Sequence, residues 1–369
     1  MNWTEAPPHE LNLDPNLLEA ASDCAAARLS TRAGAGQLVV LRRGRVALDR
    51  AYGAALPRSL FLLYSASKPY TAMLVHLLAE MSLLSLDEPV AAHWPRFARH
   101  GKGSITPRHV LQHRAGVPHS RRRTPQMLAS MRSWSAAVRA MEELRPEALA
   151  ATRPAYHPLT FGFILGELVR RVTGQPVATF LRRAFLGPLR LEDTYLGLPR
   201  SLEARAVPMV AAGHGREWLS AVAANRGPLR RGVVPAASIS ATARDVARFY
   251  EMLRCGGELD GTRVLAPRSV REARRVSSDG EMDATLGRRV RWAQGFHLGG
   301  VRGDHDLARV MGDLSDKEAF GHDGSFCCTA WTDPRRELTF VYLTNLLLAA
   351  GPGIQNHGLV ADCVLRACR

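Results

Sequence analysis

The stretch "LFLLYSASKPYTAMLVHLLAEM", residues 60–81, reads as a helix that is apolar over most of its length, yet its first turn carries Ser65, Ser67 and Lys68. Lysine occurs only at positions 68, 102 and 317, and arginine supplies the rest of the basic charge. On a helix, Ser65 and Lys68 are i,i+3 neighbours on one face. A serine hydroxyl is a weak nucleophile until a base takes its proton. Lysine can be that base only where burial or nearby positive charge destabilises its ammonium. A helix N-terminus adds partial positive charge, and its free N–H groups can bind a developing oxyanion. Alone, Ser-x-x-Lys is a short pattern that recurs by chance, and a capping serine beside a surface lysine is its plain alternative.

Two later segments add chemistry. "RPAYHPLTFGFILGELVRRVTG" places Tyr156 in a proline-bounded loop before an amphipathic helix, and "AFGHDGSFCCTAW" places His322, Asp323, Gly324 and Ser325 at the start of an expected strand. A small, glycine-containing strand start lets a backbone N–H approach a bound carbonyl. The plain alternatives are a packed loop aromatic for Tyr156 and a strand-end polar residue for His322.

The elements that must position these groups follow from the pattern. Asp14-Pro15 opens a helix with Leu17, Leu18, Ala21, Ala25 and Leu29 on one face. "QLVVLRRGRVALDRAYG" predicts a hairpin turning near Arg43-Gly44. From about 65 to 265 the pattern is mainly helical, with helices over Tyr70–Met81, Thr160–Val172 and Ala241–Leu253. Strands return near "RWAQGFHLGG" and in "SFCCTAWTDPRRELTFVYLTN", where Asp333-Pro334 makes a turn, and a last helix covers about Ile354–Arg366. The expected class is α+β: one antiparallel sheet built from both chain ends, flanked by the terminal helices, with an inserted all-helical lobe. One catalytic domain over 1–369 would comprise an α/β lobe (about 1–64 and 285–369) and a helical lobe (about 65–284).

Composition narrows the function. At 369 residues and 46% hydrophobic, the chain can bury a large core. No signal peptide pattern and no membrane-spanning apolar run is seen, so a cytoplasmic location is expected. Cys24, Cys255, Cys327, Cys328, Cys363 and Cys368 show no C-x-x-C spacing. They read as free, mostly buried thiols, with Cys327 and Cys328 facing opposite ways if both lie in a strand. His109 and His113 stand i,i+4 but lack further ligands, so no metal is expected. The net charge of +15 is dispersed over Arg42/Arg43/Arg45, Arg121–Arg123, Arg230/Arg231 and Arg288/Arg289/Arg291, with no nucleic-acid-binding pattern. A solvated basic surface, or a docking face for an acidic partner, accounts for it.

Taken together, "YSASKPYTA", "VLQHRAGVPH", "AYHPLTFGFILGELVRRVTG", "PAASISATARDVARFYEMLRCGGELDGTRVLAP" and "FGHDGSFCCTAWTDPRRELTFVYLTN" resemble, in order, the serine β-lactamase and penicillin-recognising superfamily. The resemblance is nearest to class C enzymes, D-alanyl-D-alanine carboxypeptidases and family VIII esterases. It implies Ser65 as acylated nucleophile, Lys68 as proton acceptor, and Tyr156 as second acid/base with a phenol acidified by Lys68. It also implies an oxyanion hole from the backbone N–H groups of Ser65 and Ser325, a substrate-binding third box at His322-Asp323-Gly324, His157 beside Tyr156, and no cofactor. The chain departs from the family where Pro158 stands for a side-chain amide or hydroxyl and His322 for a lysine. Both changes argue against penicillin or peptidoglycan substrates. The expected activity is a serine esterase acting on a small-molecule ester. The alternatives are an acyltransferase, with an acidic carrier protein as possible acyl donor, a β-lactamase or carboxypeptidase, and a non-catalytic binding protein; neither nucleic acid nor membrane is an expected partner.

Overall fold

The run Leu38–Leu41 is apolar without alternation because both faces of its strand are covered. Leu38 and Val40 enter one core with Leu18, Ala21, Val360 and Val364, whereas Val39 and Leu41 enter the other with Phe249 and Tyr250. Each such side chain contributes on the order of 1.5–3 kcal/mol on burial, so a one-residue slip would exchange the two sets and is strongly disfavoured. The computed structural model of the chain describes residues 1–29, 33–118, 133–147, 153–213, 215–300 and 309–369; the arginine group 121–123 lies outside them.

Helix α1 (Pro15–Ala27) starts at Asp14, whose carboxylate accepts from the N–H groups of Asn16 and Leu17. Strands β1 (Ala35–Arg42) and β2 (Arg45–Gly53) form the hairpin, turning through the left-handed Arg43 and Gly44. After β3 (Phe61–Leu62) come α2 (Lys68–Glu80), α3 (Thr160–Thr173), β4 (Thr194–Leu196), β5 (Ile239–Ala241) and α4 (Ala243–Arg254). Then follow β6 (Ser278–Asp283), β7 (Arg288–Trp292), β8 (His297–Leu298), β9 (Phe320–Gly324), β10 (Cys328–Asp333), β11 (Leu338–Thr344) and α5 (Ala350–Ala367). Eight of these strands form one antiparallel sheet in the order β2-β1-β11-β10-β9-β8-β7-β6. The β1–β11 pairing joins the chain's two ends, with Val39 opposite Val341. Helices α1 and α5 cover one face of the sheet, and α4 with the helical region covers the other. This is the α+β arrangement that the sequence predicts.

Local differences have physical reasons. Phe61 and Leu62 pair with Ala241 and Ser240 in a small sheet β3-β5-β4, so the apolar run 60–81 is strand, turn and helix rather than one helix. A run buried on all sides hides that change of period. Strand β5 likewise takes up Ala241, and α4 starts after the Thr242 cap. The residues 322–324 end a strand rather than start one, because Ser325–Cys327 form the turn into β10. Strand β6 brings the main sheet back at Ser278, ahead of residue 285. Cys327 lies outside β10, and its Sγ stands 3.8 Å from that of Cys328 instead of facing away. All six cysteines are free, but only these two are buried and Cys255 is exposed. His109 belongs to a short helix ending at Leu111, whereas His113 follows it with φ 57, so the two do not share a helical face. Among the described residues no helix is long and apolar enough to cross a membrane.

Candidate active site

Ser65 sits in a 3₁₀ turn (Tyr64–Ser67) that runs directly into α2, with Pro69 in that helix's first turn. Tyr64 enters the turn with φ 45, a conformation that non-glycine residues adopt rarely outside constrained sites. Ser67 is fully buried, and its Oγ accepts from the Ile239 N–H at 3.1 Å. Thr71 Oγ1 donates to Pro235 O at 2.9 Å, tying α2 to the segment before β5. The turn keeps the spacing expected of a helix: Lys68 Nζ lies 3.1 Å from Ser65 Oγ.

Lys68 is wholly buried, and its amine meets the Tyr156 hydroxyl at 2.8 Å, Pro158 O at 2.9 Å and Ala236 O at 3.4 Å. Burial brings it down to about 7, with Asp323 acting weakly in the other direction. Pro158 therefore serves through its carbonyl, although it has no side-chain group to offer.

Tyr156 is held from three sides. Its N–H donates to Asp283 Oδ1 at 3.0 Å, its ring stacks on Trp292 with centroids 5.6 Å apart, and His113 packs at 4.9 Å. Asp283 also accepts from the Trp292 Nε1–H at 3.2 Å, so one carboxylate positions both rings. The phenol donates to Ser65 Oγ at 2.6 Å. Burial pushes its pKa above the ordinary value, outweighing the Ser65 hydrogen bond. The expectation of an acidified phenol is thus corrected: desolvation penalises the phenolate more than its polar neighbours stabilise it.

The end of β9 lies against the Ser65 turn. A Cβ at Gly324 would collide with the Leu63 carbonyl, so only glycine allows this approach. Ser325 follows with φ 44. A cavity of about 160 Å³ opens here, walled by Ser65, Tyr156, His322, Asp323 and Ser325 on its polar side and by Leu286, Val310, Phe326 and Ile354 on its apolar side. Arg288 and His297 complete the wall. His157, by contrast, is fully buried behind Tyr156, where its Nε2 accepts from the Val117 N–H at 3.3 Å and its own N–H donates to His113 Nδ1. It packs the site rather than lining it.

His322 Nδ1 lies 2.6 Å from Asp323 O, which can only accept, so the ring carries its proton on Nδ1 and leaves Nε2 as a buried acceptor without a partner among the described residues. Burial, His297 and Lys68 keep His322 well below the usual histidine range. Burial raises Asp323 to about 6, and its Oδ1 is 3.7 Å from His297 Nε2. Possible ligand atoms of His297, His322 and Asp323 lie within 4.8 Å of one another. Only one of the three is a carboxylate, and Lys68 and Arg288 act on it with positive charge, which weakens the cluster as a site for a divalent cation.

Sequence reasoning singled out Ser65, Lys68, Tyr156, His322, Asp323 and Ser325, and the fold gathers all six around one cavity. It missed Asp283, Trp292, Arg288 and His297. Asp283 and Trp292 are the last residues of β6 and β7, paired across the hairpin with Arg288 and Ser278 respectively, and no short motif marks them.

The beta-lactamase family model matches residues 21–363 of the chain. A protein of Mycobacterium tuberculosis described as "Esterase/beta-lactamase LipL" is 32% identical over 327 residues, covering 78% of this chain and 70% of that protein. A family VIII carboxylesterase structure superposes with a TM-score of 0.80 at 26% identity, covering 96% of this chain and 98% of the other. A penicillin-binding protein homologue from Caulobacter crescentus superposes with a TM-score of 0.78 at 26% identity, covering 95% and 98%.

Proposed function

This chain belongs to the beta-lactamase family, and from that premise we propose that it is a serine esterase working through an acyl-enzyme on Ser65. The observation that carries the reading is the triangle of Ser65 Oγ, Lys68 Nζ and Tyr156 OH, with sides of 2.6, 2.8 and 3.1 Å, on the wall of a cavity. Likeness to a relative described as an esterase/beta-lactamase and to a carboxylesterase structure supports an ester as substrate. The small cavity with its apolar side supports a short acyl group.

Neutral Lys68 keeps two N–H donors, which Pro158 O and the Tyr156 oxygen accept, and turns its lone pair to the Ser65 hydroxyl. Lys68 takes that proton as Ser65 Oγ attacks the ester carbonyl, and the N–H groups of Ser65 and Ser325 receive the oxyanion. On collapse, Tyr156 gives its phenolic proton to the leaving alkoxide and regains one from the Lys68 ammonium. One proton thus moves from Ser65 to the alcohol, and both helpers return to their starting states. Water then repeats the sequence against the acyl-enzyme. A phenol with a raised pKa suits this relay, because it stays protonated until the alkoxide forms.

Intact-protein mass after exposure to p-nitrophenyl butyrate tests the reading. A single butyryl adduct on Ser65, formed and lost during turnover, is expected, and its absence would remove the assignment. Reaction with a fluorophosphonate separates an activated serine from a binding protein on the same scaffold, and partitioning with added alcohols separates hydrolysis from acyl transfer. Free cysteines suit a reducing compartment and so support the reading of a cytoplasmic activity.

Two further outcomes follow from the relay. The working form needs a neutral amine, so kcat/KM for a neutral ester should be low at pH 5, rise through about pH 7 with Lys68 and level off above it. A flat profile from about pH 5 to 9 would contradict a lysine base. Tyr156→Phe should lower kcat by about 10² to 10⁴ with little change in KM, because the ring, its Trp292 stacking and its backbone contacts remain. A change confined to KM would reduce Tyr156 to a wall of the pocket.

A further inference from the structure

Strand β7 carries three arginines, and two of them have polar partners. Arg291 Nε donates to Asp279 at 2.6 Å, and Arg289 donates to Gly280 O at 3.0 Å. The Arg288 side chain forms no ion pair or hydrogen bond among the described residues, and its guanidinium lies 5.8 Å from the Phe326 ring centroid. Yet Arg288 is half-buried and lines the same cavity as Ser65, whose wall also carries the apolar side chains of Leu286, Val310, Phe326 and Ile354. His297 and His322, the other basic groups in that wall, are buried and neutral at pH 7. The cavity therefore holds one permanently charged, unpartnered fork of N–H donors, a geometry that matches a carboxylate.

We propose that Arg288 selects esters whose acyl chain ends in a carboxylate, with the methylenes on the apolar wall and the carboxylate on the guanidinium. This rests on the esterase reading of the same cavity. Asp323 opposes it, since its carboxylate shares the wall and feels the Arg288 charge. An ionised Asp323 competes with the substrate for that charge and tempers the preference.

The test compares two substrates of nearly equal size on the full chain: 4-nitrophenyl hydrogen adipate and 4-nitrophenyl methyl adipate. Their kcat/KM ratio cancels effects common to both, including any disturbance of Lys68. At low salt the wild type should favour the anionic ester by about tenfold. Arg288→Gln should bring the ratio to about one, Arg288→Lys should keep part of the preference, and Asp323→Asn should raise it. Added salt should erode the preference of the wild type. A wild-type ratio at or below one, or a ratio unchanged in Arg288→Gln, overturns the inference. If butyrate is still hydrolysed in that case, the esterase reading stands without it. If no ester acylates Ser65, both fall together.

Discussion

Ser65→Ala is expected to abolish hydrolysis of p-nitrophenyl butyrate, lowering kcat/KM by at least about 10⁴, while the protein remains folded. The substitution removes one oxygen, whose neighbours are Lys68 Nζ and the Tyr156 hydroxyl. The Tyr156 O–H, which donates to Ser65 in the wild type, can turn to the lone pair of the neutral Lys68 amine at 2.8 Å while Lys68 keeps donating to Pro158 O, so no buried donor is left unpaired. The cost in stability should stay within about 1 kcal/mol. Nothing nearby can replace the nucleophile. Ser67 is buried and its oxygen serves Ile239, while Ser325 lines the cavity without a lysine or tyrosine within hydrogen-bonding distance among the described residues. Activity, circular dichroism and fluorophosphonate labelling should be measured on one preparation. Turnover retained in a folded, unlabelled variant would move the nucleophile elsewhere.

The sequence discloses what local patterning encodes. The hairpin at Arg43-Gly44, the cap at Asp14 and the helix that starts at Thr160 are each set by a few neighbouring residues, and each appears where expected. The Ser65–Lys68 spacing survives because a 3₁₀ turn feeding an α-helix keeps i,i+3 side chains adjacent. What is hidden depends on long-range pairing. Nothing in "SSDGEMD" says that Asp283 will meet the Tyr156 backbone, since that contact needs β6 at the sheet edge beside a loop 127 residues away. Arg288 was visible only as one of a group of basic residues, and its difference from Arg289 and Arg291 lies in partners supplied by the fold. The direction of the Tyr156 shift was hidden for the same reason. Proximity to a lysine can be read from a motif, whereas complete burial cannot.

Esters should be far better substrates than β-lactams, with nitrocefin turned over at a kcat/KM about two to four orders of magnitude below that of p-nitrophenyl butyrate. An ester needs the nucleophile, the Lys68–Tyr156 relay and two backbone donors. A β-lactam also needs its carboxylate held and its side-chain amide oriented. At the end of β9, where the family places a lysine, His322 is neutral, spends its only ring proton on Asp323 O and leaves a lone pair on Nε2. Asp323 next to it is ionised at neutral pH, having a pKa near 6. An incoming carboxylate would therefore meet an acceptor and an anion. Pro158 offers the amide no side-chain hydrogen bond, and its carbonyl is engaged by Lys68. Two missing charge-assisted contacts at roughly 1.5–3 kcal/mol each account for the expected loss. Arg288 does not restore the first of them. A linear acyl chain can turn its end towards β7, but the carboxylate of a fused β-lactam is held rigidly by its rings beside the ring nitrogen and has no such freedom. Both substrates should be measured on one enzyme preparation at pH 7.5. Comparable values would sink the esterase assignment and place β-lactam hydrolysis in its stead.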